Sequence, residues 1–125
     1  MRDTRDQAIA FADLAESTRL FRELGDAAAR DLTQIFYGRV AAALPPYDGR
    51  LVKTLGDGVM CAFADADRAV LAMGALHARM AAVRAPEQPL RVHSGISCGS
   101  VIVEGDDMFG TIVNVAAYLA AIART

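Results

Sequence analysis

GRLVKTLGDGVMCAF, residues Gly49 to Phe63, sets the apolar runs Leu51-Val52 and Val59 to Phe63 around Gly56-Asp57-Gly58. An Asp-Gly turn between apolar runs predicts a β-hairpin, because these residues accept the backbone angles that tight hairpin turns demand. Upstream, Gln7 to Ala12 (QAIAFA) is almost wholly apolar, as in a strand covered on both faces, and it ends on Asp13. If this strand pairs antiparallel with the second strand of the hairpin, the end of one meets the start of the other. Asp13 and Asp57 then lie side by side.

The remaining segments fill in around that pair. Ser17 and Thr18 can cap a helix running to Gly25, where Gly-Asp stops one helix and Asp26 caps the next, from Ala27 to about Leu44, before Pro45-Pro46. Asp65 caps a helix in which Ala69, Leu71, Ala72, Leu76, Met80 and Val83 recur at helical spacing until Pro86. Leu90 to Cys98 alternates as a strand, Gly99 permits a turn, Val101 to Val103 continues as a strand, and Thr111 to Thr125 reads as a helix. The order βααββαββα is an α+β pattern, not the strict alternation of a doubly wound sheet. A phospho-acceptor receiver domain, which needs five alternating strand-helix units, is disfavoured by the adjacent helices before the hairpin.

Composition narrows the function classes. At 125 residues, the chain has the length of one domain, 1–125. Apolar residues make up 54% and charged residues 22%, a composition that folds. Thirteen basic against fifteen acidic residues, with no Lys/Arg cluster, point away from nucleic acid and anionic membranes. Ile112 to Ile122, an apolar stretch interrupted by Asn114, is shorter than the roughly 20 residues of a membrane span. Cys61 and Cys98 lie within apolar segments, too few for a disulfide framework, and read as buried free thiols of a reducing cytoplasm. His77 and His93, without a second ligand at metal spacing, read as structural. Met60, Met73, Met80 and Met108 read as packing, and Arg30, Arg39 and Arg68 as solvated helix faces.

Two carboxylates at one sheet edge repel each other unless a cation lies between them, and hard oxygen ligands suit Mg²⁺ or Mn²⁺. Alone, Asp13 reads as a helix cap and Asp57 as a turn residue. Leu14 to Thr18 adds a turn into a helix N-terminus, whose free N–H groups can take phosphate oxygens.

In order along the chain, FADLAESTRL, VKTLGDGVMCAF, SGISCGSVIV and FGTIVNVAAYL span Phe11 to Leu119 and resemble the landmarks of the class III adenylyl and guanylyl cyclases. The resemblance implies a ferredoxin-like βααββαββα fold with helices packed on an antiparallel-containing sheet. It implies that Asp13 and Asp57, with the Leu14 carbonyl, hold two Mg²⁺ or Mn²⁺ ions, and that Ala15, Glu16, Ser17 and Thr18 face the phosphates. Lys53 stands at the position of the family's base-selecting lysine. Asp107, seven residues before Asn114, stands at that of its second base-selecting residue. A Lys donor suits N1 of adenine and an Asp acceptor suits its 6-amino group, so ATP is the implied substrate and 3′,5′-cyclic AMP the implied product.

Asn114 matches the family's ribose-orienting asparagine, and four residues later the family has an arginine where this chain has Tyr118. A phenol carries no positive charge and cannot replace a guanidinium against a pentacoordinate phosphate. In the family the site lies between two chains, and the domain continues past the last helix into further strands and a triphosphate-binding lysine with no counterpart before Thr125. The resemblance therefore implies either a homodimeric adenylyl cyclase or a pseudo-cyclase that binds nucleotide or heterodimerises with a complete cyclase chain.

Overall fold

A computed structural model describes residues 2–83 and 90–123, and in it β1 (Asp3–Leu14), α1 (Ser17–Leu24), α2 (Asp26–Ala43), β2 (Arg50–Thr54), β3 (Gly58–Phe63), α3 (Ala66–Ala81), β4 (Val92–Glu104), β5 (Asp107–Phe109) and α4 (Thr111–Ile122) follow in turn. The strands form one sheet in the order β2-β3-β1-β4-β5, antiparallel at every pairing. The α+β order expected from the sequence is the one observed.

Placing β1 at the centre of the sheet explains its composition. Ala8, Ala10, Ala12 and Leu14 face a core closed by Leu20 of α1, the Leu32, Phe36, Val40 and Ala43 stripe of α2, and Ala69, Ala72, Met73, Leu76 and Met80 of α3. Ile9 and Phe11 face the opposite side, where Met60, Ala62, Val101 and Met108 pack against Ala116 and Ala120 of α4. A strand buried on both faces has no room for polar alternation. The four methionines expected to pack are all buried.

On β4, Gly95 brings α4 close: a Cβ there would lie 2.3 Å from the Ala120 nitrogen and 2.5 Å from the Ala116 carbonyl oxygen. Gly99 does the same four residues along, where a Cβ would sit 2.9 Å from Ile112 Cγ2. The turn expected at Gly99 is absent: Gly99 pairs with Gln7, and β4 runs unbroken because the long β1 offers it a partner from Asp3 to Leu14. The second strand of that pair is instead β5, after a tight turn at Gly105, whose φ is 59°.

Other local readings change as well. Glu16, at φ 54°, occupies the N-cap of α1, and Gly25 that of α2, so Ser17 and Asp26 are first helical residues. Asp65 does cap α3, its carboxylate accepting from the Arg68 backbone N–H at 2.9 Å. Leu71 is 56% exposed, because it lies off the face that α3 turns to the sheet. Cys98 is exposed too: it pairs with Ala8 beyond the start of α3 and lines an open pocket with Asp6, Gln7 and Asp65. Cys61 is buried as expected, which pushes its thiol pKa up to about 12. Pro86 and the last residues of the helix expected to reach Thr125 lie outside the described residues.

Candidate functional site

The turn between β2 and β3 is a two-residue hairpin loop: Leu55 N–H donates to the Gly58 carbonyl at 2.8 Å, and Gly58 N–H donates back to Leu55 at 3.3 Å. Its central residues are Gly56 and Asp57, not the Asp57-Gly58 pair that the sequence suggests. Gly56 has φ 69° while Asp57 keeps a negative φ, the signature of a type II′ turn, whose twist matches the flanking strands.

This geometry brings Asp13 and Asp57 together. Asp13 is the cross-strand partner of Gly58, and the next backbone N–H, of Leu14, donates to the Asp57 carbonyl at 3.1 Å. Glycine at 58 leaves room for this carboxylate, since a Cβ there would fall 2.0 Å from Asp13 Oδ1 and push it aside. Burial first, and then the charge of Asp57, push the Asp13 carboxyl above the usual carboxylate range, with His93 opposing them. His93 is the cross-strand neighbour of Asp13 on β4. Its place beside the acidic pair was hidden from sequence reasoning, which pairs β1 with β3 alone; the β1–β4 register would have revealed it.

Ser17 hydroxyl donates to Asp57 Oδ2, so it braces a carboxylate instead of capping α1. The turn that follows Asp13 offers fewer free donors than the sequence suggests. Leu14 N–H is taken by Asp57, and Ala15 N–H donates to the Arg91 carbonyl at 2.9 Å. Among the described residues, the N–H groups of Glu16, Ser17 and Thr18 donate to nothing and point from the first turn of α1. Glu16 carboxylate also accepts from Arg19 at 3.2 Å and lies 3.9 Å from Arg91.

The donor set fits a divalent cation. Two carboxylates held this close, one of them partly buried, gain from a cation placed between them. Among the described residues no cluster of three or more His, Cys, Asp or Glu surrounds it. Two carboxylates leave most of an octahedral shell to water and phosphate oxygens, the way Mg²⁺ is usually held.

A second cluster joins opposite edges of the sheet. Lys53 Nζ of β2 lies 3.1 Å from Asp107 Oδ2 of β5, and Arg50 donates to the Asp106 carbonyl at 3.0 Å. The sheet thus curls around α4, which packs on the same face between Val52 and Met108. The Met108 backbone N–H at 2.7 Å, ahead of Lys53, holds the Asp107 carboxyl below its usual range. Of the two neighbouring aspartates, Asp106 is exposed in the turn, whereas Asp107 reaches Lys53. Asn114 and Tyr118 lie on the outer face of α4, Tyr118 64% exposed, and among the described residues their side chains bond to neither cluster. With Val115, Leu119 and Ile122 they form a largely apolar exposed strip.

The whole chain, residues 1–125, matches the family model described as the adenylate and guanylate cyclase catalytic domain. It is 39% identical over 120 residues to an adenylate cyclase of Streptomyces coelicolor, an alignment covering 95% of this chain and 30% of that protein. Among solved structures, the adenylate/guanylate cyclase/hydrolase from Silicibacter pomeroyi superposes with a TM-score of 0.81 at 30% identity, covering 99% of this chain and 74% of that one. The monomeric guanylyl cyclase domain of the RhoGC fusion protein from Blastocladiella emersonii shares the fold at a TM-score of 0.90 and 12% identity, covering 98% of this chain and 79% of that one. Together with the four ordered motifs, the curled antiparallel sheet and the paired aspartates, these likenesses establish that the chain belongs to the adenylate and guanylate cyclase catalytic domain family.

Proposed function

We propose that the chain is an adenylyl cyclase-like domain, closing ATP to 3′,5′-cyclic AMP with release of pyrophosphate at a site shared by two chains. The observation that carries this reading is the braced Asp13–Asp57 pair, where the end of β1 meets the start of β3. Asp13, Asp57 and the Leu14 carbonyl would hold two Mg²⁺ or Mn²⁺ ions, which supply Lewis acidity toward the ribose 3′-hydroxyl and offset the triphosphate charge. Glu16, Ser17 and Thr18 N–H groups would take phosphate oxygens, aided by the positive end of α1. Lys53 and Asp107, paired with each other, would exchange part of that mutual contact for N1 and the 6-amino group of adenine. Asn114 would orient the ribose.

Tyr118 favours a second reading, in which the chain binds nucleotide or completes a heterodimer while turning over poorly by itself. Its hydroxyl can donate a hydrogen bond at the place where charge develops on the phosphoryl group, but a missing charged contact of that kind costs on the order of 10² to 10³ in rate. The exposed strip around Tyr118 supports a partner chain in either reading. Among the described residues no helix is long and apolar enough to cross a membrane, and an ATP substrate is consistent with a cytoplasmic domain.

Titration of the wild-type chain and of Asp57→Asn with ATP and GTP, each with Mn²⁺, tests the adenine and metal assignments that both readings share. Wild type is expected to prefer ATP, and Asp57→Asn to lose the Mn²⁺-dependent part of binding. Equal affinity for ATP and GTP would overturn the adenine assignment. Unaltered binding by Asp57→Asn would overturn the metal assignment.

A further inference from the structure

Tyr37 does not belong to any motif that marks the family resemblance, yet its hydroxyl donates to the carbonyl oxygen of Gly56 inside the hairpin loop that carries Asp57. We infer that Tyr37 is a positioning residue for Asp57, a tether from α2 that fixes which way the loop's central peptide faces; this rests on the metal reading of Asp13 and Asp57.

Leu55 and Gly58 exchange both of their backbone bonds, so the ladder holds the two ends. The peptide between Gly56 and Asp57 is the one unit of the turn that the ladder does not hold. In a type II′ turn this peptide faces one way, and in type I′ it is rotated and the second central residue takes a positive φ. Glycine at position 56 tolerates both states, so Gly56 by itself does not choose between them. Because the peptide ends on the Asp57 nitrogen, its rotation changes the φ of Asp57 and therefore the direction of the carboxylate. A hydrogen bond to the Gly56 carbonyl selects one orientation.

Tyr37 is well placed to supply it. Its ring packs against the core beneath α2, beside Phe36 at 6.1 Å between ring centroids, while its hydroxyl reaches outward to the loop. Tyrosine ordinarily works this way, with an apolar body anchored and a polar tip free to bond. Ser17 holds Asp57 at its carboxylate and Tyr37 holds the peptide before it, so the side chain is fixed from both ends. Ser17 acts on the ligand atoms; Tyr37 acts on the backbone that aims them.

Tyr37→Phe removes the hydroxyl and keeps the ring. The probe is Mn²⁺ alone, with bound ion counted by electron paramagnetic resonance in wild type, Tyr37→Phe and the control Thr33→Ala, which deletes a bond from the same helix to the Ala29 carbonyl. The proposal predicts about three- to tenfold weaker Mn²⁺ binding in Tyr37→Phe, the range of one net hydrogen bond, with Thr33→Ala like wild type. Amide resonances of Asp57 and Gly58 should shift or broaden in Tyr37→Phe without metal. A Tyr37→Phe chain that binds Mn²⁺ as wild type does, with an unchanged Asp57 amide, overturns the tether. Equal weakening in Thr33→Ala overturns it too, since a general loss of helix stability would then explain the effect. Absence of Mn²⁺ binding in every chain overturns the metal reading, and the role of the tether with it.

Discussion

Asp13 is an acid whose environment opposes its charge: burial and the neighbouring Asp57 both raise its pKa from 3.8. A carboxyl with a raised folded-state pKa contributes stability below its unfolded value and loses it as pH rises through the folded value. Asp13→Asn should therefore be more stable than metal-free wild type at pH 7, with the advantage shrinking toward pH 4, as denaturation across that range would show. Saturating Mn²⁺ should reverse the order, because only the aspartate gains from the ion. His77 gives the opposite pH signature. Burial, then His93, lowers its pKa below 6.5, and its Nε2 lies 2.9 Å from Ser94 Oγ. Stability from neutral His77 is present above pH 6.5 and is lost as pH falls through the lower folded value, so His77→Gln should flatten that acid limb of a stability profile.

At the scale of elements, the closeness of α4 to β4 is the most demanding feature. Gly95→Ala would drive a Cβ into the backbone of α4 at Ala116 and Ala120 and should cost about 3 kcal/mol, at the upper end for overpacking, because backbone cannot swing aside. Gly74→Ala on α3, where a Cβ meets nothing, should instead stabilise by about 0.5–1 kcal/mol. Urea denaturation of the two variants checks both signs. Element order, the β1–β3 pairing and the meeting of Asp13 with Asp57 were legible in the sequence, because uninterrupted apolar runs and a Gly-Asp-Gly turn are local signals. What escaped was non-local. Gly99 reads as a turn until the length of β1 is known, and Cys98 reads as buried until the start of α3 is seen to fall short of it. The engagement of Ala15 by Arg91, the bond from Tyr37 to Gly56 and the place of His93 beside Asp13 depend likewise on segments far apart in sequence.

At the scale of the whole molecule, the side chains of Asn114 and Tyr118 bond, among the described residues, to neither the Asp13–Asp57 pair nor the Lys53–Asp107 pair, and the strip that carries them is exposed and largely apolar. That arrangement suits a site completed by a second chain. Mixing Asp57→Asn with Lys53→Ala, each defective alone, should restore one intact site per mixed dimer and part of the ATP binding, which equilibrium dialysis would register. This chain spans 30% of the Streptomyces relative, so the comparison concerns the domain and not the longer protein. The most direct measurement of the central claim is formation of cyclic AMP from ATP and Mn²⁺ by wild type and Tyr118→Arg over a range of chain concentrations. Synthesis by wild type should be slow, Tyr118→Arg should gain about 10²-fold or more, and the rate per chain should rise with concentration. No cyclic AMP from either chain at any concentration would contradict that claim.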